Sequence, residues 1–249
     1  MDSNILDKAN IDNLTALWRT MGAEPAVGGD LPGWHACPGW PHRYWFDWGH
    51  EPASNWLLPA RLPDRAMVPI WAAGRDSSPF EQTLITRGFG VCLEQRAMHL
   101  SLSDWVVEPG DALRIRSVTT SGQVTDWTRI CSRAFGYAID ETVIRRISEM
   151  PGVRLLLAER EGEAVATALL YKTGSVIGVH QVGVPPEHQG QGIAYGLMHR
   201  LIAVCQGWGG RYITLQASSA GEGLYRRLGF EPRFMIRSYR RAEPERQTA

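Results

Sequence analysis

The chain has little lysine, few cysteines, no net charge and no long apolar run. Of its 249 residues 26 are basic, but only Lys8 and Lys172 are lysine, and the arginines are spread too evenly to mark a site. Twenty-six acids balance the 26 bases. Without a basic excess, a general DNA- or RNA-coating role is excluded. No apolar stretch reaches the roughly 18 residues of a membrane span, and residues 1–10 hold neither the basic patch nor the apolar core of a signal peptide. These absences point to a soluble, cytoplasmic protein with no nucleic acid and no membrane as partner. The four cysteines (Cys37, Cys92, Cys131 and Cys205) lie far apart. No pair has metal-ligand spacing, and a reducing compartment disfavours a disulfide, so they are expected as small buried hydrophobes. His35, Cys37 and His42 match no familiar metal site, and no metal is expected.

The length suits one large domain or two small ones, with ample core. The texture changes near residue 110. Eight of the ten tryptophans lie before it, in a region where repeated prolines break any helical period. A strand is expected at 43–48, a helix at 80–87 closed by Gly88, and a strand at 91–102. The turn-like Glu108-Pro-Gly-Asp111 reads as the linker, dividing the chain into residues 1–110 and 111–249. Beyond it the pattern is regular. Strands are predicted at 113–118, 153–159, 164–171, 176–184, 212–217 and 234–240. Helices are predicted at 126–135 with Asp126 as cap, 140–150 with Asp140 as cap, 190–205 and 221–228. The mixture of hairpins and crossovers predicts an α/β fold, with a mixed sheet and helices on both faces.

The chemically informative stretch is Val182-Gly-Val-Pro-Pro-Glu-His-Gln-Gly-Gln-Gly-Ile-Ala194. A buried strand ends, a tight turn follows, and a glycine-rich loop opens a helix. Main-chain N–H groups there can approach a phosphate, and the helix N-terminus adds partial positive charge. A P-loop is excluded because no Lys-Ser/Thr follows Gly192. A dinucleotide fold is disfavoured because the next strand ends Leu215-Gln-Ala217, without the carboxylate that would hold a ribose.

Gln189-Gly-Gln-Gly-Ile-Ala194, preceded by Val184-Pro-Pro-Glu187, resembles the Gln/Arg-x-x-Gly-x-Gly/Ala signature of the GNAT family of N-acetyltransferases. Leu224-Tyr-Arg-Arg-Leu-Gly-Phe-Glu231 is similar to that family's helix-to-strand ending. The resemblance covers residues 113–241. It implies a mostly antiparallel sheet flanked by helices, and acetyl-CoA as cosubstrate. Gly190, Gln191, Gly192, Ile193 and Ala194 would hold the pyrophosphate through their amides, with Gln189 as a further backbone donor. The main chain of Val182 and Val184 would pair with the pantetheine arm. Where many members carry asparagine this chain has Ser218, a shorter hydrogen-bonding group toward the cofactor.

Acyl transfer requires a neutral amine, whereas an alkyl ammonium has a pKa near 10, so deprotonation at pH 7 costs roughly 4 kcal/mol. Tyr225 stands where the family places the proton donor to the leaving thiolate; packing of the short helix is the alternative. His180 lies where relatives carry Glu or His. With an ordinary pKa near 6.5, and on one strand face with Val182 and Val184, it is a candidate base; a hydrogen-bonded core histidine, or one that only shapes the acceptor pocket, is the alternative. His188 and His199 read as surface residues. The arginines from Arg226 to Arg241 are open between CoA's 3′-phosphate and a solvated face.

Leu84-Ile-Thr-Arg-Gly-Phe-Gly90 resembles Tyr225-Arg-Arg-Leu-Gly-Phe-Glu231, which makes residues 1–110 a candidate degenerate GNAT-like domain without a CoA loop, walling the acceptor site. The resulting expectation is transfer of acetyl to a small-molecule primary amine by direct attack in a ternary complex, with a homodimer compatible. A protein or peptide N-acetyltransferase and a non-catalytic CoA-binding or interaction module are the alternatives.

Overall fold

The computed structural model describes residues 3–25, 33–50, 62–71, 78–103, 105 and 113–242. Helix α1 (Ser3–Thr20) leads into a small antiparallel sheet of β1 (Glu24–Pro25), β2 (Trp34–Ala36) and β3 (Tyr44–Phe46). Then come β4 (Val68–Trp71), α2 (Ser78–Thr86) and β5 (Phe89–Ser101). The second half runs β6 (Arg114–Ser117), α3 (Ser121–Phe135), α4 (Glu141–Ser148), β7 (Val153–Arg160), β8 (Glu163–Thr173) and β9 (Val176–Gly183). It ends with α5 (Ile193–Gly207), β10 (Tyr212–Ser218), α6 (Ser219–Arg227) and β11 (Glu231–Arg241). Eight strands form one mixed, mostly antiparallel sheet in the order β4-β11-β5-β10-β9-β8-β7-β6.

Two apolar layers sandwich this sheet. Ile11, Leu17 and Trp18 of α1 join Trp127 and Ile130 of α3 and Ile144 of α4 on one face. On the other, α5 contributes Leu197, Leu201 and Cys205, and α6 packs Leu224 and Tyr225 against the same layer. A third cluster links β3, β4 and α2 through Phe46, Val68 and Leu84.

Helix α1 is absent from the sequence expectations. Its buried stripe includes Leu6, Leu14, Leu17 and Met21, but Asn10 and Asn13 interrupt it and are themselves 1% and 0% exposed. Two amides in the apolar face erase the periodicity by which an amphipathic helix is read. Helix α3 also differs from expectation. It is capped by Thr120, which forms a reciprocal capping box with Gln123, while Asp126 lies within the helix. Asp140 caps α4 as expected, accepting from the N–H groups of Thr142 and Val143. The turn at Glu108-Pro-Gly-Asp111 lies outside the described residues.

Strands from both sides of residue 110 share the large sheet. β4-α2-β5 and β10-α6-β11 are similar units, and each gives its last strand to the other: β5 pairs with β10, and β11 with β4. β5 and β11 themselves lie side by side, antiparallel. The short sequence similarity marks this relationship. Gly88 and Gly229 end the two helices with φ of 78° and 84°, left-handed values that favour glycine, and Phe89 and Phe230 follow into buried positions.

Candidate active site

β9 and β10 run parallel and pair only from Tyr212–Val176 to Thr214–Gly178. Beyond that they part: β9 continues beside β8 to Gly183, whereas β10 continues beside β5 to Ser218. A wedge therefore opens in the sheet, and β9 presents an unpaired backbone edge to it over the stretch containing Val182. Val184 follows the strand, and its carbonyl accepts from Gln189 Nε2 at 2.9 Å.

The wedge leads to the N-terminus of α5. A single 3-10 turn (Pro186–His188) is followed by the exposed residues Gln189, Gly190, Gln191 and Gly192. Gly190 and Gly192 have φ of 75° and 74°. A Cβ at either would meet no atom within 4 Å, so backbone conformation and not space calls for glycine there. Gly192 caps α5 without any side-chain bond, and no acid occupies the first turn. The first helical N–H groups, from Ile193 and Ala194 onward, have no partner within the helix. This is an uncommitted anion seat. Gln191 Nε2 reaches the Glu187 carbonyl at 3.3 Å, and Glu187 pairs with Arg133 of α3, which ties the loop to the body.

His180 sits on the splaying part of β9 but does not share a face with Val182 and Val184, contrary to the sequence expectation. Leu169 of β8 pairs with His180 and Thr167 with Gly183, so β9 carries one extra residue in between. Gln181 takes φ of 50° at this bulge. An added residue reverses the alternation. His180 therefore faces α1, whereas Val182 and Val184 pack against the α5 layer.

The surroundings of His180 come from α1. Its Nε2 lies 3.1 Å from Asn13 Oδ1. Asn13 Nδ2 donates to the Tyr171 carbonyl and to Thr173 Oγ1, both at 2.9 Å. With both amide donors used, Oδ1 is the atom that faces the ring, which assigns the proton of neutral His180 to Nε2. Gln216 of β10 also faces the imidazole and favours its charged form, but burial dominates and pulls its pKa from 6.5 to about 4. Gln216 Nε2 donates to Asn10 Oδ1 at 2.7 Å, and Asn10 Nδ2 donates to the carbonyls of Met98 and Leu215. Gly178 makes room for the pair: a Cβ there would lie 1.8 Å from Asn13 Oδ1 and 2.3 Å from His180 Nε2.

Tyr225 belongs to α6, on the α5 side of the sheet, with its ring edge-on to Phe230 at 5.7 Å between centroids. Burial pushes its pKa to about 12, so the hydroxyl keeps its proton through the neutral range. Ser218 caps α6, its Oγ accepting from the Gly221 N–H at 3.3 Å, which leaves the hydroxyl proton and one lone pair for other partners. Among the C-terminal arginines, Arg226 pairs with Glu222, Arg233 with Asp7, and Arg237 with Glu81 and Glu94. These guanidiniums are committed within the fold. His188 approaches Glu163 at 3.6 Å, and His199 packs between Trp105 and Tyr195. Asn10, Asn13, Gly178 and Gln216 carry no local sequence signal; only the missed α1 helix connects them. Among the described residues no helix is long and apolar enough to cross a membrane, and no group of three or more His, Cys, Asp or Glu could hold a metal.

Residues 123–230 match the model of the Acetyltransferase (GNAT) family. No curated protein matches the chain. Among solved structures it is similar to the GCN5-related N-acetyltransferase from Kribbella flavida, at 19% identity and TM-score 0.56, over 73% of this chain and 70% of that one. The GCN5-related N-acetyltransferase from Sphaerobacter thermophilus is similar at 20% identity and TM-score 0.58 over 74% of this chain; only 63% of that longer protein is spanned. A functionally unknown conserved protein from Staphylococcus epidermidis aligns over 90% of this chain and 96% of its own, at 14% identity and TM-score 0.61. At such identities the structural likeness is one of fold.

Proposed function

With residues 123–230 a GNAT acetyltransferase domain, and the chain thereby an acyltransferase enzyme, we propose that it moves an acetyl group from acetyl-CoA to a primary amine of a small molecule. The reaction is direct attack in a ternary complex, in the cytoplasm. The observation that carries this reading is the wedge between β9 and β10, which opens onto the α5 N-terminus. Its two parts suit the two ends of the cosubstrate. The N–H groups of Gly190–Ala194 donate to the pyrophosphate, assisted by the helix dipole. The free edge of β9 around Val182 offers the pantetheine amides a strand to pair with.

The chain's own groups divide the proton work. The amine attacks in its neutral form; as the C–S bond breaks, Tyr225, protonated at neutral pH, donates to the leaving thiolate, and the proton released by the nitrogen returns the tyrosine to its neutral form. His180 is a neutral imidazole with Nε2–H held by Asn13, so Nδ1 is its accepting nitrogen. A pKa of about 4 makes it a weak proton acceptor at pH 7, and its contribution is to receive and orient the amine's N–H. Residues 111–249 supply these groups, except Asn13 and Asn10. Residues 1–110, as a degenerate partner unit, close the acceptor side.

Calorimetric titration with acetyl-CoA, desulfo-CoA and NADH tests the reading. Binding of the first two in the micromolar range, with none of NADH, is expected. Absence of binding by either CoA compound overturns it in favour of an interaction module.

A further inference from the structure

The hairpin between β7 and β8 lies against the loop that enters α5. Its turn residues, Glu161 and Gly162, take φ of 54° and 84°, both left-handed, as a two-residue type I′ turn requires. That turn sets Arg160 opposite Glu163 at the strand ends. Each of the two reaches the loop with its side chain. Arg160 Nη1 donates to Gln191 Oε1 at 3.4 Å, and Glu163 approaches the His188 ring at 3.6 Å. Gln191 is thereby held from two sides, since its Nε2 donates to the Glu187 carbonyl. Its main chain stands between Gly190 and Gly192, the left-handed glycines of the anion seat.

The carboxylates of the hairpin and the loop are engaged elsewhere. Glu159 pairs with Arg116 at 2.6 Å, Glu187 pairs with Arg133, and Glu163 leans to His188 instead of across the hairpin to Arg160. Glu161 is exposed at the tip and makes no ion pair with Arg160. Among the described residues Arg160 has no carboxylate at ion-pair distance. Its hydrogen bond to Gln191 is long and goes to a neutral amide, and its other N–H groups meet no acceptor there.

A full positive charge is what the seat lacks. The loop Gln189-Gly-Gln-Gly192 contains neither Lys nor Arg, and Arg133, which also borders it, is occupied by Glu187. The helix N-terminus supplies about half an elementary charge, whereas each phosphate of a pyrophosphate carries a whole negative one. A mobile-ended guanidinium touching the loop, with no acid of its own, fits that deficit.

We propose that Arg160 binds the pyrophosphate of the cosubstrate, closing the seat from the hairpin side, so that the phosphates lie between the α5 N–H groups and a guanidinium from β7. This rests on the acetyl-transfer reading above. On binding, Arg160 exchanges the Gln191 Oε1 for a phosphate oxygen, a neutral acceptor for a charged one. The pyrophosphate and not the 3′-phosphate is its partner, because its contact is with the loop residue between the two seat glycines, and the 3′-phosphate lies a ribose further out.

The test is calorimetric titration of the full chain with CoA, dephospho-CoA, which lacks only the 3′-phosphate, and pantetheine, which lacks the pyrophosphate as well. Arg160→Gln should weaken CoA and dephospho-CoA equally, by about tenfold, the order of one hydrogen bond to a charged group. Pantetheine should be unaffected, and Arg160→Lys should recover part of the loss. Added salt should weaken both nucleotides more for wild type and Arg160→Lys than for Arg160→Gln. Support of the loop through Gln191 alone would leave that salt dependence where it is. Unchanged affinity, a loss for CoA only, a loss shared by pantetheine, or an unaltered salt dependence overturns the proposal. If pantetheine binds too weakly to titrate, the salt dependence decides. Should Arg160→Gln fail to fold by circular dichroism, Arg160→Lys decides, by weakening both nucleotides equally or not at all. The two readings separate in wild type: binding of CoA that Arg160→Gln retains in full removes only the role of Arg160, whereas no binding of CoA or dephospho-CoA removes acetyl transfer itself.

Discussion

Asn13 and His180 meet at 3.1 Å although 167 positions separate them in the chain. The contact joins a helix from the first half to the strand that borders the wedge, and it fixes both the tautomer and the orientation of the imidazole. Burial sets its low pKa, and Asn13 sets which nitrogen carries the proton.

Replacing Asn13 by Asp places a carboxylate against Nε2 and raises the His180 pKa from about 4 toward or beyond its ordinary value. The His180 ring proton in an NMR titration should shift its midpoint upward, and any inflection of the acidic limb of the pH–rate curve should move with it. An unmoved midpoint would remove the Asn13 contact from the account.

Acid sensitivity follows from the same burial. The unfolded chain takes up a proton near pH 6.5, which native His180 refuses until about pH 4. Stability is therefore full above pH 6.5 and falls as pH drops through that window, by on the order of 3 kcal/mol from this group. Denaturant midpoints of wild type and His180→Gln between pH 4 and 7 check it. The variant should show a shallower decline.

Gly178→Ala should destabilise the protein by about 3 kcal/mol, because the added methyl overlaps a packed side-chain pair and must push α1 off the sheet. Thermal melting measures this. A variant with wild-type melting would mean that α1 gives way without cost.

Tyr225→Phe is expected to lower kcat about 100-fold while leaving acetyl-CoA affinity nearly unchanged. Since the hydroxyl titrates at about 12, wild type should show no alkaline loss from this group below roughly pH 10. Full turnover in the variant assigns Tyr225 to packing alone.

Gly192→Asp should weaken acetyl-CoA binding by about 100-fold, because it sets a carboxylate among the amides proposed to seat the pyrophosphate. Calorimetry reads the affinity and a thermal melt the fold. A variant that binds as tightly as wild type displaces the anion seat from this loop.

Much of the second half could be read in order from the chain. Strands from Val153 onward alternate or run apolar, Asp140 marks a helix start, and the glycines from Gly190 to Gly192 announce a loop entering a helix. Even the exchange of strands left a trace, in Gly88-Phe89 and Gly229-Phe230. What local pattern concealed was α1, whose buried face carries Asn10 and Asn13, and the bulge at Gln181, which reverses the side of the sheet that His180 faces. One extra residue in β9 has no signature in composition, because a bulge is defined against the partner strand.

The sequence alone determined the glycine loop, the tyrosine near the end of α6 and the succession of elements from β6 onward, since each depends on neighbours within a few residues. The tertiary structure decided which groups converge. Asn13 reaches His180 and Gln216 reaches Asn10 only because the sheet brings distant segments together. Burial there changes the chemistry: it strips water from His180 and leaves the ring uncharged at neutral pH.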